Sequence, residues 1–210
     1  KGDFVKNFSL PDYFTSKGIQ QPRNNGVFEG LTTDFNNDGY WVGMELPLTK
    51  DGSKPKLFPT ESPIRITHFN KETGKADDQF VISLENISKI PWMYFAVNGL
   101  TELIQHAPHQ FLILERAYSS GHGSYGNTVR IFNINAENAT NTLDFQNLRK
   151  EKYTKASKEL VFDFKSVKKR LTKGIIDNIE GMTFGPDLPN GNKSLILISD
   201  NNFNTLGTQL

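Results

Sequence analysis

The chain has no cysteine, which excludes disulfides, thiol catalysis and cysteine-ligated zinc. It has no apolar run near the ~20 residues that a membrane-spanning helix requires. Charge of either sign is barely in excess: 24 Lys and Arg stand against 23 Asp and Glu, for a net charge of +1. No strong field therefore selects nucleic acid as a partner. The four histidines include no His-x-x-x-His pair, which argues against a zinc site. No Gly-x-Ser-x-Gly elbow occurs, which argues against a serine-hydrolase triad of that kind. A sustained 3.6-residue apolar period is also missing; only Lys165–Leu171 reads as a helical turn or two.

What remains is a β protein. With 210 residues the chain is long enough for one domain with a sizeable core. Short segments rich in β-branched and aromatic residues are bounded by Gly, Pro, Asn or Asp, and they predict strands at 40–46, 64–69, 80–84, 110–114, 129–134, 160–164 and 194–199. Turn chemistry fills the gaps at 36–39, 50–52, 72–74 and 189–192. The basic run 165–173 reads as a solvated face or as a phosphate-attracting patch. Four Asn-x-Ser/Thr sequons occur among 20 asparagines, too weak a signal to establish secretion.

Three stretches say nearly the same thing. They begin at Gly30, Gly99 and Gly181, which lie 69 and 82 residues apart. Each opens with Gly, an aliphatic residue and Thr, passes through a turn-rich gap, and closes an apolar strand on an acid: Glu45, Glu115 or Asp200. After the first two acids comes an aliphatic-Arg-Ile strand, at Ile64-Arg65-Ile66 and Val129-Arg130-Ile131. Repeated sheets of short antiparallel strands predict an all-β β-propeller, of which this chain covers about three repeats, roughly the C-terminal half to two-thirds. The expectation is a single domain over 1–210, truncated at both ends.

Several residues could carry chemistry. Glu29-Gly30-Leu31-Thr32 and Glu180-Gly181-Met182-Thr183 are near copies, with Asn98 replacing Glu in the middle repeat. On converging innermost strands they would ring one mouth of a propeller channel with oxygen ligands, which suits Ca²⁺; alternatively each Glu staples a neighbouring blade. Asp34-x-Asn36-x-Asp38-Gly39-x5-Glu45 fits the EF-hand calcium pattern, but its flanks read as strands. It is a tight hairpin, with or without a calcium ion. Glu115-Arg116 precedes the glycine-rich loop 119–127, where backbone amides and Arg116 could meet an anion and His122 could move a proton.

Four segments, in order, resemble the phytase-like domain family, described as the esterase-like activity of phytase. They are Asn25–Leu31; Met44–Leu48 with Ile64-Arg65-Ile66; Phe111–Arg116; and Asp177–Pro186 running on to Ser199-Asp200-Asn201-Asn202-Phe203. The resemblance implies a β-propeller, export to the periplasm or cell exterior, and hydrolysis of a small phosphorylated or ester substrate. Read with it, Glu29, Glu115, Arg116, Glu180 and Asp200 are candidate catalytic residues. Arg65, Arg130 and His122 are candidates for substrate binding. Glu29, Glu45, Glu180, Asp200, Asp34, Asn36 and Asp38 are candidate metal ligands, with calcium as the expected ion. The competing reading is a non-catalytic propeller that binds a protein partner, its acids and arginines serving as interblade staples.

Overall fold

A computed structural model describes residues 2–15 and 22–201. Lys1, residues 16–21 and the stretch 202–210 lie outside the described residues, including Asn202 and Phe203 of the last resemblance segment. The described residues are mostly β. Four strands form a first antiparallel sheet in sequential order: β1 (Phe28–Thr33), β2 (Gly39–Met44), β3 (Pro63–Asn70) and β4 (Ala76–Ser83). Four more form a second with the same order: β5 (Ala96–Ala107), β6 (Gln110–Ser119), β7 (Asn127–Asn135) and β8 (Ser157–Asp163). A hairpin of β9 (Ile179–Phe184) and β10 (Leu195–Ser199) completes the strands. Strand β5 lies beside β1 on one side and β9 on the other.

Local chemistry explains the connections. The β1–β2 turn closes through Asn37 N–H to the Asp34 carbonyl at 2.8 Å, and Asn37 takes the positive φ of 60° that Asn tolerates better than most residues. Pro108 and His109 form a two-residue loop between β5 and β6, where Ala107 pairs with Gln110. The expected helical turn is a 3-10 helix over Phe164–Arg170, with the Lys165 N–H capped by the Asp163 side chain.

Strands β6 and β7 of the second sheet pack on both faces, while β8 is largely exposed. Along β6, Phe111 and Ile113 point into a core shared with the first sheet, against Trp41, Ile66, Phe80 and Leu103. Leu114, Val129 and Ile131 pack on the other side against Phe164, Ile176, Ile179 and Met182. Burying each such side chain contributes about 1.5–3 kcal/mol, so the stacked sheets hold the first strands in place, and the candidate site with them.

Candidate functional site

The two Glu-Gly copies sit on matching irregularities. In β1, Phe28 pairs with Met44 and Gly30 with Gly43, so Glu29 is the extra residue of a β-bulge. In β9, Ile179 pairs with Ser199 and Gly181 with Ile198, so Glu180 is extra in the same way. The middle sheet has no bulge there: Asn98 pairs with Ala117 and Gly99 with Arg116. A bulge bends its strand and re-aims one side chain, and here that side chain is a glutamate each time.

Arg116 on β6 links these elements. Its Nη2 donates to Glu180 Oε1 at 2.8 Å, and Asn178 Nδ2 donates to the same oxygen at 2.9 Å. The buried Nε–H of Arg116 has no acceptor among the described residues. Partial burial, then the like charges of Glu45 and Glu180, push Glu29 up to about 7 against the pull of Arg116. Glu29 stays open to solvent on one side, so the crowd of carboxylates is the firmer of these causes. Burial also raises Glu45, with Glu180 adding to it, while Arg116 and Lys54 work the other way.

Glu45 is held by its backbone. Its N–H donates to the Val27 carbonyl at 2.8 Å, and its carbonyl accepts from Leu100 N–H at 3.2 Å. A Cβ on Gly99 would stand 2.6 Å from Glu45 Cγ and 3.1 Å from its Oε1. Gly99→Ala is therefore expected to displace the Glu45 side chain and cost about 1–3 kcal/mol, as overpacking does, read as a lowered urea midpoint.

Glu115 has a different setting. It is 2% exposed. Its Oε2 accepts from Asn98 Nδ2 at 2.7 Å and from Glu85 N–H at 3.0 Å, and its Oε1 accepts from Lys158 Nζ at 2.5 Å. Lys158 also reaches Glu85 Oε1 at 2.9 Å and lies over the Phe132 ring. Its carboxylate is thus committed to joining β6, β8 and the segment after β4. Asp200 follows β10, exposed, with its N–H on the Asn178 carbonyl at 2.9 Å. Glu45 and Asp200 each stand two residues past the partner of their repeat's glycine, whereas Glu115 stands one before.

The three predicted substrate-binding residues are dispersed. Arg65 is 1% exposed and makes five hydrogen bonds, to both Asp51 carboxylate oxygens, Gln79 Oε1 and the carbonyls of Thr142 and Phe145. Arg130 donates to Asp163 Oδ2 at 3.2 Å and lines a cavity of about 260 Å³ with Lys89, Lys165, Lys168 and Tyr125. Part of the basic run thus joins a positively charged hollow. His122 donates from Nε2 to the Ile90 carbonyl at 2.8 Å and packs on Trp92, which fastens the exposed loop 90–95 to the glycine-rich loop.

The acidic hairpin is also clear. Asp34 Oδ2 accepts from Asn36 N–H at 2.7 Å, and its Oδ1 accepts from Trp41 Nε1 at 3.0 Å. Burial favours a protonated Asp34, but these two bonds, Asp38 and the neighbouring His68 outweigh it and hold the carboxyl below its ordinary value. Asn36 itself is exposed. Glu45 lies past the far end of β2, about 20 Å away at the rise of an extended strand, so Glu45 and the Asp34–Asp38 turn cannot share one ion. The turn instead meets His68 of β3: Asp34, Asp38 and His68 bring one ligand atom each within 4.8 Å of one another. Among the described residues no other Asp, Glu or His group does so.

The sequence reading missed His68, Asp77, Asn178, Glu85 and Lys158. A lone His among apolar residues carries no local signal, and these partners meet only through strand pairing.

The sequence model of one protein family, described as "Phytase-like: Esterase-like activity of phytase", matches residues 1–203. No curated protein and no solved structure matches the chain.

Proposed function

Because the chain belongs to the phytase-like family, we propose that it hydrolyses phosphate esters or carboxylic esters from a site built by Glu29, Glu45, Arg116 and Glu180, on what forms part of a β-propeller. Two four-stranded meanders of identical order, with β1, β5 and β9 side by side, are what blades around a common axis require. The observation that carries the site is the matched pair of bulged glutamates, Glu29 and Glu180, with Arg116 bonded to Glu180; Glu29, raised by its surroundings to about 7, could both hold and release a proton near neutral pH.

Arg116 would contact the phosphoryl or acyl oxygens, since a guanidinium offers a forked donor. Glu180 and Asn178 orient that fork. Oxygen-only donors bearing mutually repelling charge suit calcium in chemistry, although Glu29, Glu45 and Glu180 do not converge within 4.8 Å as a set. A calcium ion there would draw ligands from these glutamates and supply Lewis acidity. Glu115 and Arg65 stand outside the reaction in this reading, as structural groups. Export to the periplasm or cell exterior belongs to the same reading and rests on the family. Among the described residues no helix is long and apolar enough to cross a membrane.

One observation favours the competing, non-catalytic reading. The Arg116–Glu180 pair joins the second sheet to the third, and Lys158 joins β8 to Glu85 after β4, as interblade staples would. The two readings separate in an assay of the purified chain on p-nitrophenyl phosphate and p-nitrophenyl acetate, with Ca²⁺ or with a chelator. Turnover of the phosphate ester that requires Ca²⁺ is expected. A cooperatively folded chain that turns over neither ester under either condition overturns the hydrolase reading in favour of staples.

A further inference from the structure

We propose that Asp34, Asp38 and His68 form a site for a divalent transition metal of the zinc class, separate from the glutamate cluster. His68 is the decisive member. Its side chain is 8% exposed, and its Nδ1 lies 2.6 Å from Asp77 Oδ1. A carboxylate at that distance fixes the proton on Nδ1 and leaves Nε2 as a lone-pair donor, the arrangement that supports metal-binding histidines. Nε2 is buried and has no hydrogen-bond partner. It faces Asp38 Oδ1 at 3.5 Å.

With the ring proton on Nδ1, Nε2 and the Asp38 carboxylate are both acceptors, and a cation between them would satisfy the buried nitrogen. Ligand atoms on a tetrahedral zinc with bonds of 2.0–2.1 Å stand about 3.3 Å apart, so His68 and Asp38 are almost at ligand spacing already. Beyond the bonds from Asn36 and Trp41, the Asp34 carboxylate has lone-pair capacity left for a metal. Gly39 keeps the space beside Nε2 clear, since a Cβ there would stand 2.3 Å from that nitrogen.

The donor set selects the ion. An imidazole with two carboxylates suits zinc and its first-row neighbours, whereas calcium takes six to eight oxygens. Three protein ligands leave at least one position for water. The site would tie the β1–β2 turn to β3, where Lys71 N–H already donates to the Asp38 carbonyl at 2.9 Å. It lies at the opposite end of β2 from Glu45, so it stands or falls independently of the hydrolase reading.

Trp41 supplies the readout. It donates to Asp34, and its ring lies 5.0 Å from that of His68. The chain has two tryptophans, so Trp92→Phe, at an exposed position, makes Trp41 the sole emitter. Titration of this protein with Zn²⁺ near neutral pH is expected to give a saturable 1:1 change in emission and a raised melting temperature. Ca²⁺ at the same concentrations is expected to leave the Trp41 emission unchanged. Asp38→Asn removes an exposed carboxylate, so the fold survives, and it is expected to weaken Zn²⁺ binding at least ~10-fold. Asp77→Asn is expected to weaken it ~10–100-fold, as loss of a histidine's supporting carboxylate does. Zn²⁺ affinity unchanged in Asp38→Asn, a Trp41 emission change with Ca²⁺ at the same concentrations as with Zn²⁺, or no uptake by the folded protein would each overturn the assignment.

Discussion

Asp51→Ala is expected to destabilise the protein by about 3–5 kcal/mol, the cost of leaving one partner of a buried ion pair unpaired. Arg65 and Asp51 meet at 2.7 Å with side chains 1% and 0% exposed. The guanidinium also lies 4.2 Å from the Tyr13 ring centroid. Asp51 does more than neutralise it, because Asp51 Oδ1 accepts from Leu148 N–H at 2.9 Å and fastens the segment before β8. Removing the carboxylate therefore strands a charge and frees a loop together. Urea unfolding of Asp51→Ala, Arg65→Met and the double variant would measure this. The double variant is expected to recover much of the loss, since replacing both partners by apolar groups is often close to neutral. Single and double variants within about 1 kcal/mol of wild type would mean that the pair is not the buried hub described.

The second large effect concerns Glu29→Gln. In the hydrolase reading Glu29 transfers a proton, and its loss is expected to lower kcat about 10²–10⁴-fold and to remove the limb of the rate profile near pH 7. The same residue has a signature independent of turnover. A carboxyl at about 7 in the folded chain against 4.5 in the unfolded one keeps a proton that unfolding would release. Its contribution to stability is complete below about pH 4.5, declines as pH rises, and is gone above about pH 7. The melting temperature should fall across that window in the wild type and fall less in Glu29→Gln. A variant with the full rate and an unchanged pH limb would show that Glu29 is no proton carrier. A variant inactive but with the wild-type stability slope would place the perturbed carboxyl elsewhere.

Much of the β architecture was legible because strand and turn chemistry is local. Asn37 at the tip of the first hairpin and the β-branched runs of β3 and β7 are of this kind. Strands β5 and β9 go beyond the predicted ones, since polar residues and an internal glycine dilute their signal and pairing alone makes them strands. The bulges at Glu29 and Glu180 were out of reach for a related reason: a bulge is a count of residues on one strand against its partner. Arg65 illustrates a third limit. Alternation with Ile64 and Ile66 puts it on the opposite face of β3, and only the covering segment around Thr142 and Phe145 reveals that this face is buried too. The acidic turn gave its carboxylates from sequence, but His68, some thirty positions later, came only from register.

The bulges also bear on how such a site could change over generations. Glu29 and Glu180 occupy positions that the sheet can lose without losing a rung, since the neighbours on each side carry the pairing. A substitution there leaves the ladder of Phe28, Gly30 and Gly43, or of Ile179, Gly181 and Ile198, as it was. The residue most exposed to selection for new chemistry is thus the one least bound to the architecture, and the scaffold can drift in specificity while its inheritance of shape stays intact.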